Sequence, residues 1–393
     1  MKYFPLLLCL LLGSCMPPSK PLTIVVSNPS PLERENEMVE IPVRELLERL
    51  QPTATEQFIV WDMQGRQVPY QLTYDDKLLF RTTLSPKATV SYVVALDSVM
   101  PYETLVSGRY SRADSSLVWE NDRAAFRAFN ASYGRNNDRA AGYDVWVKNT
   151  SALLLDEWFD YAASQADSLR MPARLKRQGV TGMDAYRAAH TPGCGGTLLL
   201  LGDSTLVYPQ GWEDYEILDN GPLRFTVRLR NRYRPIADSI HVTETRLISL
   251  DAGSRLNQIT IHYDTLPPKV RLFTALPMRT GNHAYAAETG LGILSYANPT
   301  DSLKGEYGIV YVGCVMPQKI ERAGTWPLAA KEAMWRGAIG YVYALTRPDI
   351  QTPFTYKAGA AWQDETLSNH NKWVEYLSAE AEKTLHPLRI ELK

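Results

Sequence analysis

Two stretches, LRFTVRL (Leu223 to Leu229) and IHVTETRLI (Ile240 to Ile248), alternate apolar residues with Arg, Thr and His at a period of two. That period sends successive side chains to opposite faces of an extended chain, so these segments read as strands with one buried face. A third alternating run, Leu256 to Tyr263, follows the turn Asp251-Ala252-Gly253-Ser254, and Pro267-Pro268 closes it. Parallel pairing would need a crossover of about a dozen residues or more between strands, and turns this short leave no room for one. The chain is therefore expected to be mainly β: a large two-sheet antiparallel sandwich, a small N-terminal β-sandwich and a C-terminal helix.

Shorter β runs at Leu22–Val26, Phe58–Trp61 and Val90–Leu96 place the small β domain at residues 22–108, with a linker from Met100 to Gly108. Residues 109–393 follow as the large sandwich, interrupted at 163–189 by a polar, Arg-rich loop or short surface helix. Helices are few. Val43 to Leu50 is a short one. Over Asn369 to Leu385, Trp373, Val374, Leu377 and Ala381 recur at helical spacing until Pro387 stops the helix.

The N-terminus reads MKYFPLLLCLLLGSC. Its apolar run is far shorter than the ~20 residues that span a bilayer, so it is read as a signal peptide. The ending Leu-Gly-Ser-Cys resembles a bacterial lipobox, which implies lipid attachment at Cys15 and a tether over residues 16–21. The expected location is the outer membrane, lipid-anchored and facing the periplasm, because no acidic export-like cluster follows Cys15. Cys194 and Cys314 then remain, and their spacing leaves open whether they pair. No Cys/His cluster has zinc-ligand spacing, and no metal or cofactor is expected. A net charge of -1 without a basic block excludes a nucleic-acid partner. Oligomeric state is not readable.

Four segments carry polar groups in patterns suited to a ligand. In WENDRAAFRAFN, strict alternation sets Trp119, Asn121, Arg123 and Arg127 on one face. An indole stacks on sugar C–H groups, and a guanidinium takes a carboxylate bidentately. In GYDVWVK, Asp144, Trp146 and Lys148 share a face. In HTPGCGG, three glycines mean close backbone approach, with His190 at the mouth as a proton-transfer group. In MRTGNHAY, Arg279 and Asn282 are placed to neutralise a uronate carboxylate, His283 to act as base and Tyr285 as acid. Each pattern also fits a structural role: paired strand charges, a tight glycine turn, a hydrogen-bonded loop.

These segments, with ILDNGPLRFTVRL (Ile217 to Leu229) and FTYKAGAAW (Phe354 to Trp362), occur in an order that resembles a family of bacterial lipoproteins, domain of unknown function 4861. DNGPLRFTVRL is also similar to the supersandwich of galactose-mutarotase-like proteins and several polysaccharide lyases. The resemblance implies a role on pectin-like, uronate-containing glycans and supplies no catalytic residues. Two functions follow: an enzyme on acidic oligosaccharides, by lyase or mutarotase-type proton transfer, or a non-catalytic glycan-binding lipoprotein. A proton-transfer group within hydrogen-bond reach of an Arg in one pocket separates them.

Overall fold

The computed structural model describes residues 20–53, 56–98, 100–112, 115–131, 142–158, 182–233, 235–236, 239–279, 283–300, 308–364 and 366–393. The expected signal peptide with Cys15, Asn282 and most of segment 163–189 lie outside them. The described chain is mainly β, in antiparallel sheets. An eight-stranded sheet follows the meander expected from the alternating runs: strands Pro209–Asn220, Arg224–Tyr233, Thr243–Asp251 and Leu256–Tyr263 lie side by side. Phe354–Trp362, Ile309–Val315, Ile293–Pro299 and Tyr285–Glu288 complete it.

Two five-stranded sheets cover its inner face. One runs from Val106–Ser111 to Gly182–Tyr186, and the other holds Thr197–Leu201, Arg271–Met278 and Gly340–Thr346. Inward-facing Val227, Leu229, Ile248 and Leu250 meet Trp119, Phe126 and Val145 from the facing sheet in one continuous core. Burying side chains of this size contributes about 1.5–3 kcal/mol each, which makes the interface between sheets the dominant stabilising layer.

The helix His370–Leu385 lies on the outside of the eight-stranded sheet. Trp373, Leu377 and Ala381 are buried against Ile293, Tyr311 and Val315. Asn369 caps it by accepting from the Lys372 amide at 3.1 Å. The short helix Val43–Leu50 occurs as expected, burying Leu46 and Leu50.

The N-terminal strands form a small sandwich of their own, with a separate core around Ile24, Val39, Phe80 and Val94. Its larger sheet is completed by the last strand of the chain, Arg389–Leu392, which pairs antiparallel with Leu22–Ser27. The alternation of neither segment reveals that pairing. Arg224 joins the two sandwiches, holding Asp251 at 2.5 Å and Glu40 at 2.8 Å.

Candidate functional site

WENDRAAFRAFN is a hairpin, not one strand. Ser116–Asn121 pairs with Ala124–Phe129, and Phe126 stands opposite Trp119 while Arg127 stands opposite Val118. The turn at Asp122–Arg123 therefore moves Arg127 to the face away from Trp119, correcting the single-face reading. Trp119 is fully buried in the core, where its Nε1 donates to Asn257 at 2.7 Å. Asn121 organises the turn: its Oδ1 accepts from the Arg123 and Ala124 amides, and its Nδ2 donates to the carbonyls of Asp251 and Ser254. Asp122 accepts from the Gly253 amide at 2.6 Å. Arg123 is exposed at the tip, beside Asp122. The polar residues of the motif thus hold the hairpin tip against the Asp251–Ser254 turn.

On the opposite face of this sheet the remaining charges meet one another. Arg127 pairs with Asp144 at 2.5 Å and lies over the Trp146 ring at 4.9 Å. Asp144 also accepts from the Ala188 amide at 2.7 Å. Lys148 donates to Glu120 at 2.6 Å, and Glu120 accepts from the amides of Leu154 and Leu155. Burial pushes the Glu120 carboxyl up despite Lys148, and burial pushes the Lys148 ammonium down. Leu154, Leu155 and Trp158 cover Trp146, which is fully buried. Arg127 does converge with Trp146, but in an enclosed layer of charge pairs. It is not an open ligand face.

HTPGCGG connects two strands through a packed turn. Gly193 has φ +62, and a Cβ there would stand 2.4 Å from the Tyr143 carbonyl oxygen; a Cβ on Gly195 would stand 2.7 Å from the Cys314 sulfur. The glycines are required by this close approach. Cys194 and Cys314 are buried free thiols, and Cys194 Sγ donates to the Gly359 carbonyl at 3.1 Å. Burial pushes both thiols well up, away from the reactive thiolate.

The open arrangement lies where this turn meets the helix Ala330–Arg336. The His190 ring stacks on the Trp335 indole, with centroids 4.6 Å apart and planes 19° from parallel. Trp335 is 45% exposed, and its neighbour Met334 is also exposed. Arg336 donates to the His190 carbonyl at 2.7 Å and lies 3.5 Å above the Tyr208 ring. Arg279 donates to the carbonyls of Gly337 (2.5 Å) and Arg187, and it makes no ion pair with a described carboxylate. Its Nε is buried without a partner. The Tyr296 hydroxyl accepts from the Arg279 amide at 3.2 Å, and Tyr285, 51% exposed, pairs with Tyr296 on the adjoining strand.

Of the expected residues, the structure thus places His190 and Arg279 at the helix Ala330–Arg336 and its Gly337 end, with Tyr285 one strand from Tyr296, and keeps Trp119, Asn121, Arg127, Asp144, Trp146 and Lys148 in packing and ion pairs. His283 is half-buried close by in sequence, with no hydrogen bond to Arg279. Sequence reasoning passed over Trp335, Met334 and Arg336. Their signal was an apolar pair in a seven-residue helix ended by Gly337 at φ +66. Among the described residues, no group of three His, Cys, Asp or Glu could hold a metal ion. No helix among them is long and apolar enough to cross a membrane.

The fold is that of a large two-layer antiparallel sandwich with an appended small sandwich. The chain belongs to the family described as domain of unknown function 4861, whose model matches residues 26–390. No curated protein matches. Among solved structures it is similar to a glycosyl hydrolase family 38 protein from Enterococcus faecalis, with a TM-score of 0.52, 9% identity and coverage of 95% of this chain and 47% of that one. It is also similar to an α-mannosidase from Enterococcus faecalis V583, with a TM-score of 0.52, 10% identity and coverage of 95% and 46%. The chain spans about half the length of these solved chains, and at this identity the likeness is one of fold.

Proposed function

We propose that this protein is a carbohydrate-recognising lipoprotein, anchored through Cys15 to the periplasmic face of the outer membrane. It takes acidic, uronate-containing oligosaccharides at the surface built by His190, Arg279, Tyr285 and Trp335. The observation that carries the reading is the exposed Trp335 indole, held flat by His190, together with the Arg279 guanidinium, which bonds the Gly337 carbonyl at the end of the same helix and pairs with no described carboxylate. An aromatic plane stacks on sugar rings, and an uncompensated cation favours an anionic ligand. The glycosyl hydrolase family 38 fold likeness supports a carbohydrate ligand. Binding is better supported than catalysis, because the Arg279 guanidinium donates to backbone carbonyls and no described proton-transfer group bonds to that guanidinium. A lyase or mutarotase-type reaction is the second reading, favoured by the half-exposed Tyr285 hydroxyl six residues from Arg279.

The test is titration of uronate oligosaccharides into the purified protein while absorbance near 235 nm is followed. Saturable binding without an absorbance rise supports recognition; a rise identifies a lyase. Trp335→Ala is expected to weaken binding by about threefold to tenfold, the effect of losing one aromatic contact. Unchanged affinity in that variant would move the site elsewhere.

A further inference from the structure

The small N-terminal sandwich holds a cleft of about 700 Å³, away from the Trp335 surface. That volume is within the ~300–1,000 Å³ usual for ligand pockets. Its walls mix hydroxyl and amide groups, among them Asn36, Gln64, Thr83 and Ser91, with apolar groups such as Met63 and Val90. Arg81 is half-buried in the wall and, among the described residues, makes neither a hydrogen bond nor an ion pair. The other charges facing the cleft are spent: Asp62 accepts from Arg66 Nε at 2.7 Å and from the amides of Gln64 and Arg66. The Tyr92 hydroxyl is bonded to Thr82 at 2.7 Å. Asn36 enters the cleft from a bulge, in the left-handed conformation at φ 53, where the pairing register shifts between Arg34 and Glu37. Bulges of this kind re-aim a side chain. The Asp251–Ser254 turn of the large sandwich lies close to Asn36 and Arg81. A Cβ on Gly253, which has φ +84, would stand 3.1 Å from Asn36 Cβ and 3.8 Å from Arg81 Nη1.

From this geometry we infer a second binding site, in which Arg81 anchors the carboxylate of a sugar acid and the surrounding hydroxyls and amides take its ring hydroxyls. The sugar class rests on the preceding reading; the anion preference rests on Arg81 alone, since a half-buried guanidinium with no partner retains its full hydrogen-bonding capacity. The two sites share no residue.

The test follows the Arg81 Nε–H resonance by NMR, assigned by its loss in Arg81→Met, during titration with galacturonate, galactose and inorganic sulfate. Arg81→Lys provides the assignment should the Met variant fail to fold. A saturable shift with galacturonate and none with galactose is expected, unchanged in the Arg279→Met background. Calorimetric affinity of this site for galacturonate should fall by about tenfold to a hundredfold in Arg81→Met. Loss of the response in Arg279→Met would make it a property of the Trp335 surface and overturn the second site. An Arg81 resonance unmoved by galacturonate overturns it too, and an equal response to sulfate reduces it to a general anion contact and overturns the sugar-acid assignment.

Discussion

Glu120 and Lys148 meet at 2.6 Å beneath Leu154 and Leu155, with both side chains essentially out of water. At such a site an ion pair adds little over an apolar pair of the same shape, but removal of one partner strands the other charge. Lys148→Met is therefore expected to destabilise the protein by about 3–5 kcal/mol in denaturant titration. Adding Glu120→Gln should recover much of that loss, because the stranded charge is gone. If the two substitutions simply add, the charges are not coupled. The same residues mark where the sequence could be read and where it could not. Asp144, Trp146 and Lys148 do share a face, since a strand's alternation is local. That this face is covered follows from residues 154–158, which lie outside the motif and carry no periodic signal.

At the scale of elements, the helix His370–Leu385 is tied to its sheet by groups that titrate. Burial alone raises the Glu380 carboxyl, yet Lys357 at 3.0 Å and Lys383 at 2.7 Å hold it down, at about 2 instead of 4.5. A depressed folded value means that this stabilisation is present above about 4.5 and is lost as pH falls towards 2. His370, bonded to the Ser295 hydroxyl at 2.8 Å, is lowered from 6.5 by burial. Its contribution is likewise present above that value and lost as pH falls through the depressed one. Denaturant unfolding at a series of pH values should thus show stability declining on acidification. Glu380→Gln should flatten the limb below 4.5, and His370→Asn the limb below 6.5. A profile unaltered by either substitution would contradict the assignment. This helix was legible because Trp373, Leu377 and Ala381 fall on one stripe and Asn369 caps it. The WENDRAAFRAFN hairpin was not. Two-residue hairpin loops usually declare themselves by glycine at positive φ, whereas Asp122 and Arg123 have neither, and the Asn121 side chain holds the turn.

Across the whole molecule, the two sandwiches have separate cores but share Arg224, whose fork takes Asp251 and whose Nη2 also reaches Glu40. Gln71 adds an amide bridge to the Leu223 and Arg224 backbone. Calorimetry is expected to show one cooperative transition, and Arg224→Met, which removes the cation shared by Glu40 and Asp251 and leaves Glu40 with Lys77, should split it into two. Two transitions already present in the unaltered protein would show that the junction does not couple the cores.

The pairing of Arg389–Leu392 with Leu22–Ser27 also bears on how the chain emerges during synthesis. Leu22–Ser27 gains this neighbour only after some 360 further residues have been made. Until then one edge of Leu22–Ser27 presents unpaired amides and carbonyls, a surface on which other extended chains can add. Throughout that interval the edge stays open to such additions unless it is shielded. Holdase chaperones, which bind extended apolar segments, are the kind of factor suited to that interval.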